Sequence, residues 1–362
     1  MNRRQWLMGA AAGLARGGSH EPLRIGLVGL VHGHVKGLLR LLAKRSDVRL
    51  VGIAEANQPV AERYRKEYGL EESLFHRQLD AMLDQTRPEG VLIFTNTFDH
   101  RQVVEACAAR RLPCMIEKPL AVSREHGRAI AEAARKAHIP VLVNYETTWY
   151  ANNQIVERVA KQERQLGTVR RIVVRDGHNG PKEIGVEPEF LDFLTDPKRN
   201  GAGALYDFGC YGANLITWLF DNQRPLSVTA VTQRLKPEIY RQVDDEATII
   251  LTYPHAVGII EASWNWPYSR KDMEIYGERG YLQTIRSESV RLRVGSAAEE
   301  TLRADPLPEP YGDYLSYFTA VVRQRIQPTG LSALENNVLV NEILDAARRS
   351  AATGRRVLLK AA

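Results

Sequence analysis

A lysine, an aspartate and a tyrosine are the side chains in this sequence best placed to move protons. Lys118 stands in Met115-Ile116-Glu117-Lys118-Pro119-Leu120, directly after the apolar run Pro113-Cys114-Met115-Ile116. Such a run reads as a buried strand, which puts Lys118 at a strand's carboxyl end, where open α/β sheets bind ligands. Taken alone, it reads more readily as a surface lysine beside a loop proline. Asp207 and Tyr211 stand four residues apart in a stretch, Gly201 to Asn214, that opens a helix running to about Phe220. That spacing puts both on one helical face, which Asn214 and Trp218 continue. Gly209 and Gly212 interrupt the same helix, at roughly 1 kcal/mol each against alanine. They point to something approaching the backbone closely, although glycines that merely let the helix pack explain them nearly as well.

The elements that would position these groups alternate strand and helix up to about residue 145. Leu23–Leu30 is a buried-strand run that leads through Val31-His32-Gly33-His34 into a helix with Leu38, Leu39, Leu41 and Leu42 on one side. Strand, glycine turn and helix are the setting of a dinucleotide-binding fingerprint. The fingerprint is degenerate here. Gly29 makes the tight turn, Val31 replaces the second glycine, and His34 replaces the third unless Gly33 takes that role by a one-residue slip. The next strand, Val48 to Ala54, ends at Glu55, a little over 20 residues further on. A carboxylate there accepts from ribose hydroxyls and repels a 2′-phosphate, so the expected cofactor is NAD rather than NADP. Helices from Pro59 to about Tyr68 and near Leu79–Leu83 precede the strand Gly90–Phe94, which ends in Thr95-Asn96-Thr97-Phe98-Asp99-His100. Asp99 is placed to cap a helix that reaches Arg111. After the Lys118 strand come a helix from Ser123 to His138 and the strand Pro140–Tyr145. This is the α/β pattern of a doubly wound parallel sheet.

The remainder has a different texture. Strand-like runs at Thr168–Arg175, Ser227–Leu235, Ala247–Tyr253, Val257–Trp266, Asp272–Tyr276, Tyr281–Ile285 and Val290–Val294 follow with few helices between them. They imply an α+β domain with a large open, mostly antiparallel sheet. A long amphipathic helix over Leu331–Thr353 ends at Gly354, and Arg355–Leu359 closes the chain as a strand or tail. The expected divisions are an extension over 1–20, a dinucleotide-binding domain over 21–146, a substrate domain over 147–330 and a returning C-terminal helix and tail over 331–362.

Composition narrows the function. The 362 residues are 44% hydrophobic and 25% charged, ordinary values for a globular protein. Half of the formal charge of +6 comes from Arg3, Arg4 and Arg16. No basic stripe remains, which argues against nucleic-acid binding. The three cysteines, Cys107, Cys114 and Cys210, show no CxxC pair, so neither a disulfide framework nor a zinc site is expected, and no other metal. At the N-terminus, Arg3-Arg4 followed by Trp6, Leu7 and a short Ala-rich run resembles a twin-arginine export signal. It is too short to span a bilayer. The expected location is periplasmic, with the cytoplasm as the alternative.

Residues 23 to the C-terminus resemble the glucose-fructose oxidoreductase / inositol dehydrogenase (Gfo/Idh/MocA) family. The family's strand ending in T-x-N with a histidine about four residues on appears as Thr95 to His100, and its E-K-P motif is intact at Glu117-Lys118-Pro119. Its G-G-G-x-x-x-D-x-G-x-H-x-x-D motif appears with Ala202, Tyr211 and Asn214 as departures, a form that looks like the glucose-fructose oxidoreductase branch. The resemblance implies NAD held by Gly29, Val31, His32, Gly33, His34, Glu55, Thr95, Asn96, His100, Glu117 and Lys118. It implies a cis bond before Pro119, a homodimer or homotetramer formed through the open sheet, and hydride transfer with a secondary hydroxyl of a sugar. Lys118 would orient that hydroxyl and share its proton with Tyr211, whose pKa a close cation would lower, and Asp207 would position one or both. Tyr145, Trp149, His178, Asn179, Asn214 and Trp264 are the candidate sugar contacts, because aromatic faces with amide and imidazole donors suit a carbohydrate. Two other functions sit on the same fold: glycoside hydrolysis by transient oxidation and elimination, and sugar binding without catalysis.

Overall fold

The computed structural model describes residues 21–359. The Arg3-Arg4 segment lies outside them. The first sheet contains β1 (Leu23–Val28), β2 (Val48–Ala54), β3 (Phe75–His76), β4 (Gly90–Ile93), β5 (Cys114–Glu117) and β6 (Val141–Asn144). Its order is β3-β2-β1-β4-β5-β6 and its pairings are parallel. The connecting helices are α1 (Val35–Leu42), α2 (Gln58–Tyr68), α3 (Leu79–Thr86), α4 (His100–Ala109) and α5 (Arg124–Ala137). β4, β5 and β6 are buried along their whole length. Strands covered on both faces read as continuous apolar runs, which is why they stand out in the sequence. Strand order reverses between β1 and β4, so the ligand crevice of such a sheet opens above Val28 and Ile93.

Asp99 does stand before α4, but its side chain makes no cap bond. Its backbone is already helical (φ −77, ψ −12), and its carboxylate accepts instead from Asn96 Nδ2 at 2.7 Å. The loop after β4 is therefore closed by its own side chains.

The second sheet contains β7 (Val169–Gly177), β8 (Ser227–Gln233), β9 (Glu246–Thr252), β10 (Val257–Ser263), β11 (Arg270–Gly277), β12 (Gly280–Ile285), β13 (Ser289–Val294), β14 (Glu300–Arg303) and β15 (Val357–Leu358). Its order is β14-β13-β12-β11-β7-β10-β9-β8-β15, antiparallel except where β7 meets β10. Alternation is clean along β9, where Ala247, Ile249 and Leu251 are buried and Thr248 and Ile250 are exposed. One face is thus covered and the other open. Helices of this half are α6 (Asn153–Val156), α7 (Pro188–Leu194), α8 (Pro197–Asn200), α9 (Ala204–Asp207) and α10 (Gly209–Leu219); α11 (Tyr314–Val322) returns to the core of the first sheet, with Phe318 against Gly90, and α12 (Leu334–Thr353) follows it. α12 ends at Gly354 in the left-handed conformation and packs against β8 and α10 on one side and α5 and β6 on the other. It ties the two halves together. All three cysteines are free and buried.

The expected single helix from Asp207 through Tyr211 is broken. Phe208 separates α9 from α10, and the Tyr211 N–H donates to Phe208 O at 3.1 Å rather than to Asp207 O. The Asp207 carbonyl is left for the Lys118 ammonium, at 3.0 Å. Gly209 and Gly212 do admit a close approach, but the group is the sheet itself. A methyl group built on Gly212 would collide with Ile260 of β10. Gly212→Ala therefore tests packing against propensity. Alanine gains about 1 kcal/mol as a helix former, while overpacking a tight core costs about 1–3 kcal/mol. Denaturant unfolding should show net destabilisation, smaller in an Ile260→Ala background, which removes the Cγ atoms that the new methyl meets. A more stable Gly212→Ala protein would mean the helix can lift off β10 without cost.

Candidate active site

β5 delivers Lys118 to the seam between the two sheets, and the Lys118–Pro119 bond is cis. The Lys118 ammonium forms an ion pair with Asp207 Oδ1, and the two side chains are 5% and 7% exposed. Asp207 Oδ2 accepts from Trp264 Nε1 at 3.0 Å. Burial works against both charges. For Lys118 burial lowers the pKa, yet the Asp207 carboxylate outweighs it and the net shift is upward. For Asp207 burial raises the pKa, yet Lys118, with help from Trp264, carries it below the ordinary value. The pair is held ionised by each partner for the other.

Tyr211 stands beside this pair. Lys118 Nζ lies 5.2 Å from its ring centroid and Lys271 Nζ lies 4.7 Å from it, so two cations flank one phenol. Such a cation, by itself, lowers a tyrosine pKa. Here burial, followed by the Glu146 carboxylate, raises it well above the ordinary value. A phenol this deeply buried loses more hydration on ionising than two already neutralised cations return. Lys271 is itself paired with Glu146, and in sheet register it faces Asp176 of β7. Asp176 is completely buried, both its carboxylate oxygens lack a partner among the described residues, and burial pushes its pKa well up. Sequence reasoning missed Glu146, Asp176 and Lys271. One signal was available for Asp176, a carboxylate in the inward alternation Ile172, Val174, Asp176 of a half-covered strand.

The cofactor side lies across the switch point of the first sheet. A cavity of about 780 Å³ is lined there by Gly29, Val31, Glu55, Thr95 and Asn96 among others, and it is large enough for a dinucleotide portion. Gly29 adopts φ +82, and a side chain on it would strike Thr95. That glycine is required on both counts. Glu55 Oε2 accepts from the Leu30 N–H and Oε1 from the Asn57 N–H, both at 2.8 Å. The carboxylate so fixed keeps lone pairs for ribose hydroxyls. His34 Nδ1 meets Glu117 Oε2 at 3.0 Å, and Glu117 Oε1 accepts from Asn144 Nδ2 at 2.7 Å. His32, His34 and Glu117 offer ligand atoms within 4.8 Å of one another, a grouping that pair-spacing rules do not find. His32 is nonetheless packed against Phe190 and Phe193 and held neutral by burial. Gly33 makes room for Phe190 rather than completing the fingerprint. His100 is buried, with its pKa lowered to about 4 by burial, and its Nδ1 lies 3.2 Å from Leu120 O. It braces the turn after Lys118 and does not line the cofactor cavity.

The expected sugar contacts divide sharply. His178 is brought to the site. It lines a cavity of about 520 Å³ together with Glu146, Tyr150 and Lys271, its ring edge rests on Phe208, and its Nδ1 accepts from the Gly180 N–H at 2.9 Å. The others are not positioned to touch a ligand there. Trp264 and Tyr145 are completely buried, the first behind Asp207 and the second edge-on to Tyr211. Asn214 is equally buried, and its amide donates to Leu331 O at 2.8 Å and Asn337 Oδ1 at 3.2 Å, tying α10 to the start of α12. Trp149 donates to Asn144 Oδ1 at 2.9 Å and faces a separate cavity with Trp218 and Tyr317. Asn179 is exposed outside the lining, and its carbonyl accepts from Lys236. Side chains of sugar-binding type serve here as supports, because each is claimed by a neighbour that sequence separation hides.

Residues 23–145 match the family model described as an oxidoreductase family, NAD-binding Rossmann fold, and residues 157–283 match the GFO/IDH/MocA C-terminal domain. The chain belongs to the GFO/IDH/MocA family of NAD-binding oxidoreductases. Its relatives include trans-1,2-dihydrobenzene-1,2-diol dehydrogenase of Sus scrofa, 25% identical over 65% of this chain and 66% of that one. The matched stretch thus spans just under two thirds of that relative. A dTDP-3,4-didehydro-2,6-dideoxy-alpha-D-glucose 3-reductase of Streptomyces antibioticus is 23% identical over 90% of this chain and 97% of that one. Among solved structures, aldose-aldose oxidoreductase from Caulobacter crescentus superposes with a TM-score of 0.77 at 20% identity, covering 93% of this chain and 100% of that one.

Within this GFO/IDH/MocA chain the Lys118–Asp207 pair makes two measurable statements. Breaking a buried pair costs about 3–5 kcal/mol, whereas replacing both partners by apolar groups costs far less. Asp207→Asn and Lys118→Met should each lower the unfolding free energy by that order, and Lys118→Met combined with Asp207→Leu by less than either. The pH dependence follows from the directions of the shifts. Asp207's lowered pKa gives stability that is present above the ordinary aspartate value of about 4 and lost as pH falls through the folded value. Lys118's raised pKa gives stability that is complete below the ordinary lysine value of about 10 and lost as pH rises through the folded value. Unfolding titrations of wild type and Asp207→Asn should converge toward acid and diverge at neutral pH. Parallel curves across the whole range would show that the pair contributes nothing.

Proposed function

We propose that this protein transfers a hydride between NAD and a secondary hydroxyl of a sugar or sugar-like substrate. One observation supports the reading above all. An ionised lysine at the carboxyl edge of the nucleotide sheet and a tyrosine of the second domain share one enclosed seam, between the cofactor crevice and the cavity at His178. The relatives' names fit it. They describe dehydrogenases of a dihydrodiol and of inositol and a reductase of a dTDP-linked sugar.

Bound NAD supplies the hydride acceptor, and the chain handles everything else. Lys118, kept charged by Asp207, donates to the substrate oxygen. Tyr211, kept neutral by burial, is the second donor. Trp264 fixes the free oxygen of Asp207, so the ammonium cannot swing away with its counter-ion. At rest both groups hold their protons. That state stabilises an oxygen gaining negative charge and suits carbonyl reduction. In the oxidative direction the hydroxyl proton must pass to this pair, so one of them must first lose its own.

Two further parts of the reading have their own supports. The Arg3-Arg4 segment favours export of the folded protein, which would need NAD to be bound before transport. The open face of the second sheet exposes Val231, Ile250 and Tyr276, which favours association through that face.

The purified protein should release nicotinamide on denaturation, and NADH should form with members of a free-sugar panel. Oxidation should accelerate with rising pH and the reverse reaction should slow. Tyr211→Phe should cut turnover by about 100-fold or more and leave NAD affinity within about twofold. A fully active Tyr211→Phe enzyme removes tyrosine from the mechanism. Cleavage of aryl glycosides without net NADH would assign the chain to oxidation-assisted hydrolysis instead.

A further inference from the structure

We propose that the sugar bound by this protein carries an anionic group, a carboxylate or a phosphate, held by arginines at the outer end of the cavity that begins at His178. The inference rests on the reading above only for where the reacting carbon lies. The cavity starts beside Tyr211, at His178 and Lys271, and opens where β7 and β12 end and β11 begins. Its lining contains four permanent cations, Arg270, Lys271, Arg286 and Arg291, against two carboxylates, Glu146 and Asp272.

Both carboxylates are already committed. Asp272 accepts from two nitrogens of Arg270, and Glu146 holds Lys271. Arg286 forms no ion pair among the described residues, and Arg291 reaches Glu299 only at 3.9 Å. Arg286 is therefore left without a counter-ion on this wall, and Arg291 is held only loosely. His178 adds no further charge, because burial lowers its pKa.

The placement of Arg286 is built rather than incidental. It occupies the turn between β12 and β13 with φ 53, a conformation that costs a side-chain-bearing residue strain. Its carbonyl accepts from Asn152 Nδ2 at 2.8 Å, and the Asn152 N–H donates to Ser287 O at 3.1 Å. The buried Asn152 thus clamps the turn against the start of α6. The root of the side chain is fixed at the cavity rim. A planar guanidinium offers paired donors to a carboxylate or phosphate, which a neutral polyol cannot match. A cleft with one sign of charge in excess also concentrates ligands of the opposite sign.

The test uses the full chain loaded with NAD and three probes: glucose, glucuronate and glucose 6-phosphate. Binding is read by titration calorimetry and turnover by NADH formation. At low salt at least one anionic probe should bind about tenfold or more tighter than glucose. That advantage should shrink as salt is raised and in Arg286→Gln and Arg291→Gln, whose NAD content verifies folding. The preferred anion tells carboxylate from phosphate. Equal binding of all three probes, or an anion preference that both variants leave intact, overturns the proposal. Anion-selective binding without NADH formation supports it and overturns the dehydrogenase reading. NADH formation from neutral sugars with no anion preference does the reverse.

Discussion

The buried ion pair between Lys118 and Asp207 is the interaction on which the rest of this structure depends. Neither charge tolerates its surroundings alone. Lys118 comes from the end of a parallel strand, and Asp207 from a helix break 89 residues later. Their meeting fixes how the nucleotide sheet sits against the second domain. The same contact explains the broken helix, since the ammonium takes the Asp207 carbonyl that a continuous helix would have used internally. Structure and chemistry converge on one cation. A lysine kept charged at the seam is an anchor between domains and, in the proposed reaction, the donor to the substrate oxygen.

Around this pair lies a set of supports that look like ligand contacts in the sequence. Trp264 holds Asp207, Tyr145 backs Tyr211, Asn214 joins α10 to α12, and Trp149 reaches Glu117 through Asn144. Aromatic and amide side chains suit sugars because they combine a flat apolar face with directional polar groups. The same combination makes them good braces in a buried, polar core. Residue type cannot tell the two uses apart, and burial decides.

Tyr211 shows the limit of pairwise electrostatic reasoning. Two ammonium groups flank its ring, yet its pKa rises, because each cation is neutralised by its own carboxylate and the phenol is deeply buried. What counts is the desolvation together with the field of the whole cluster, in which Glu146, Asp207 and Glu117 take part. The permanent positive excess instead lies further out, at the arginines of the cavity rim.

Much of this protein was legible in the sequence for physical reasons. The doubly wound half shows because strands buried on both faces must be continuous apolar runs bounded by turn residues, as in Gly90–Ile93 and Cys114–Glu117. Gly29, Glu55 and Lys118 show because strand ends in such sheets carry the ligand site, and the open sheet shows in the alternation of β9. Short edge strands such as β3 and β14 carry too few residues to set a period, and they were missed. Tertiary structure alone decided the remainder. It set the helix break at Phe208, the bracing roles of His100, Asn214 and Trp264, and the entry of Asp176, Lys271 and Glu146 into the site. Each of these depends on a partner dozens of residues away, or on the loss of water around a group. A local pattern encodes neither, so the sequence names the chemistry at Lys118 and only the fold says what faces it.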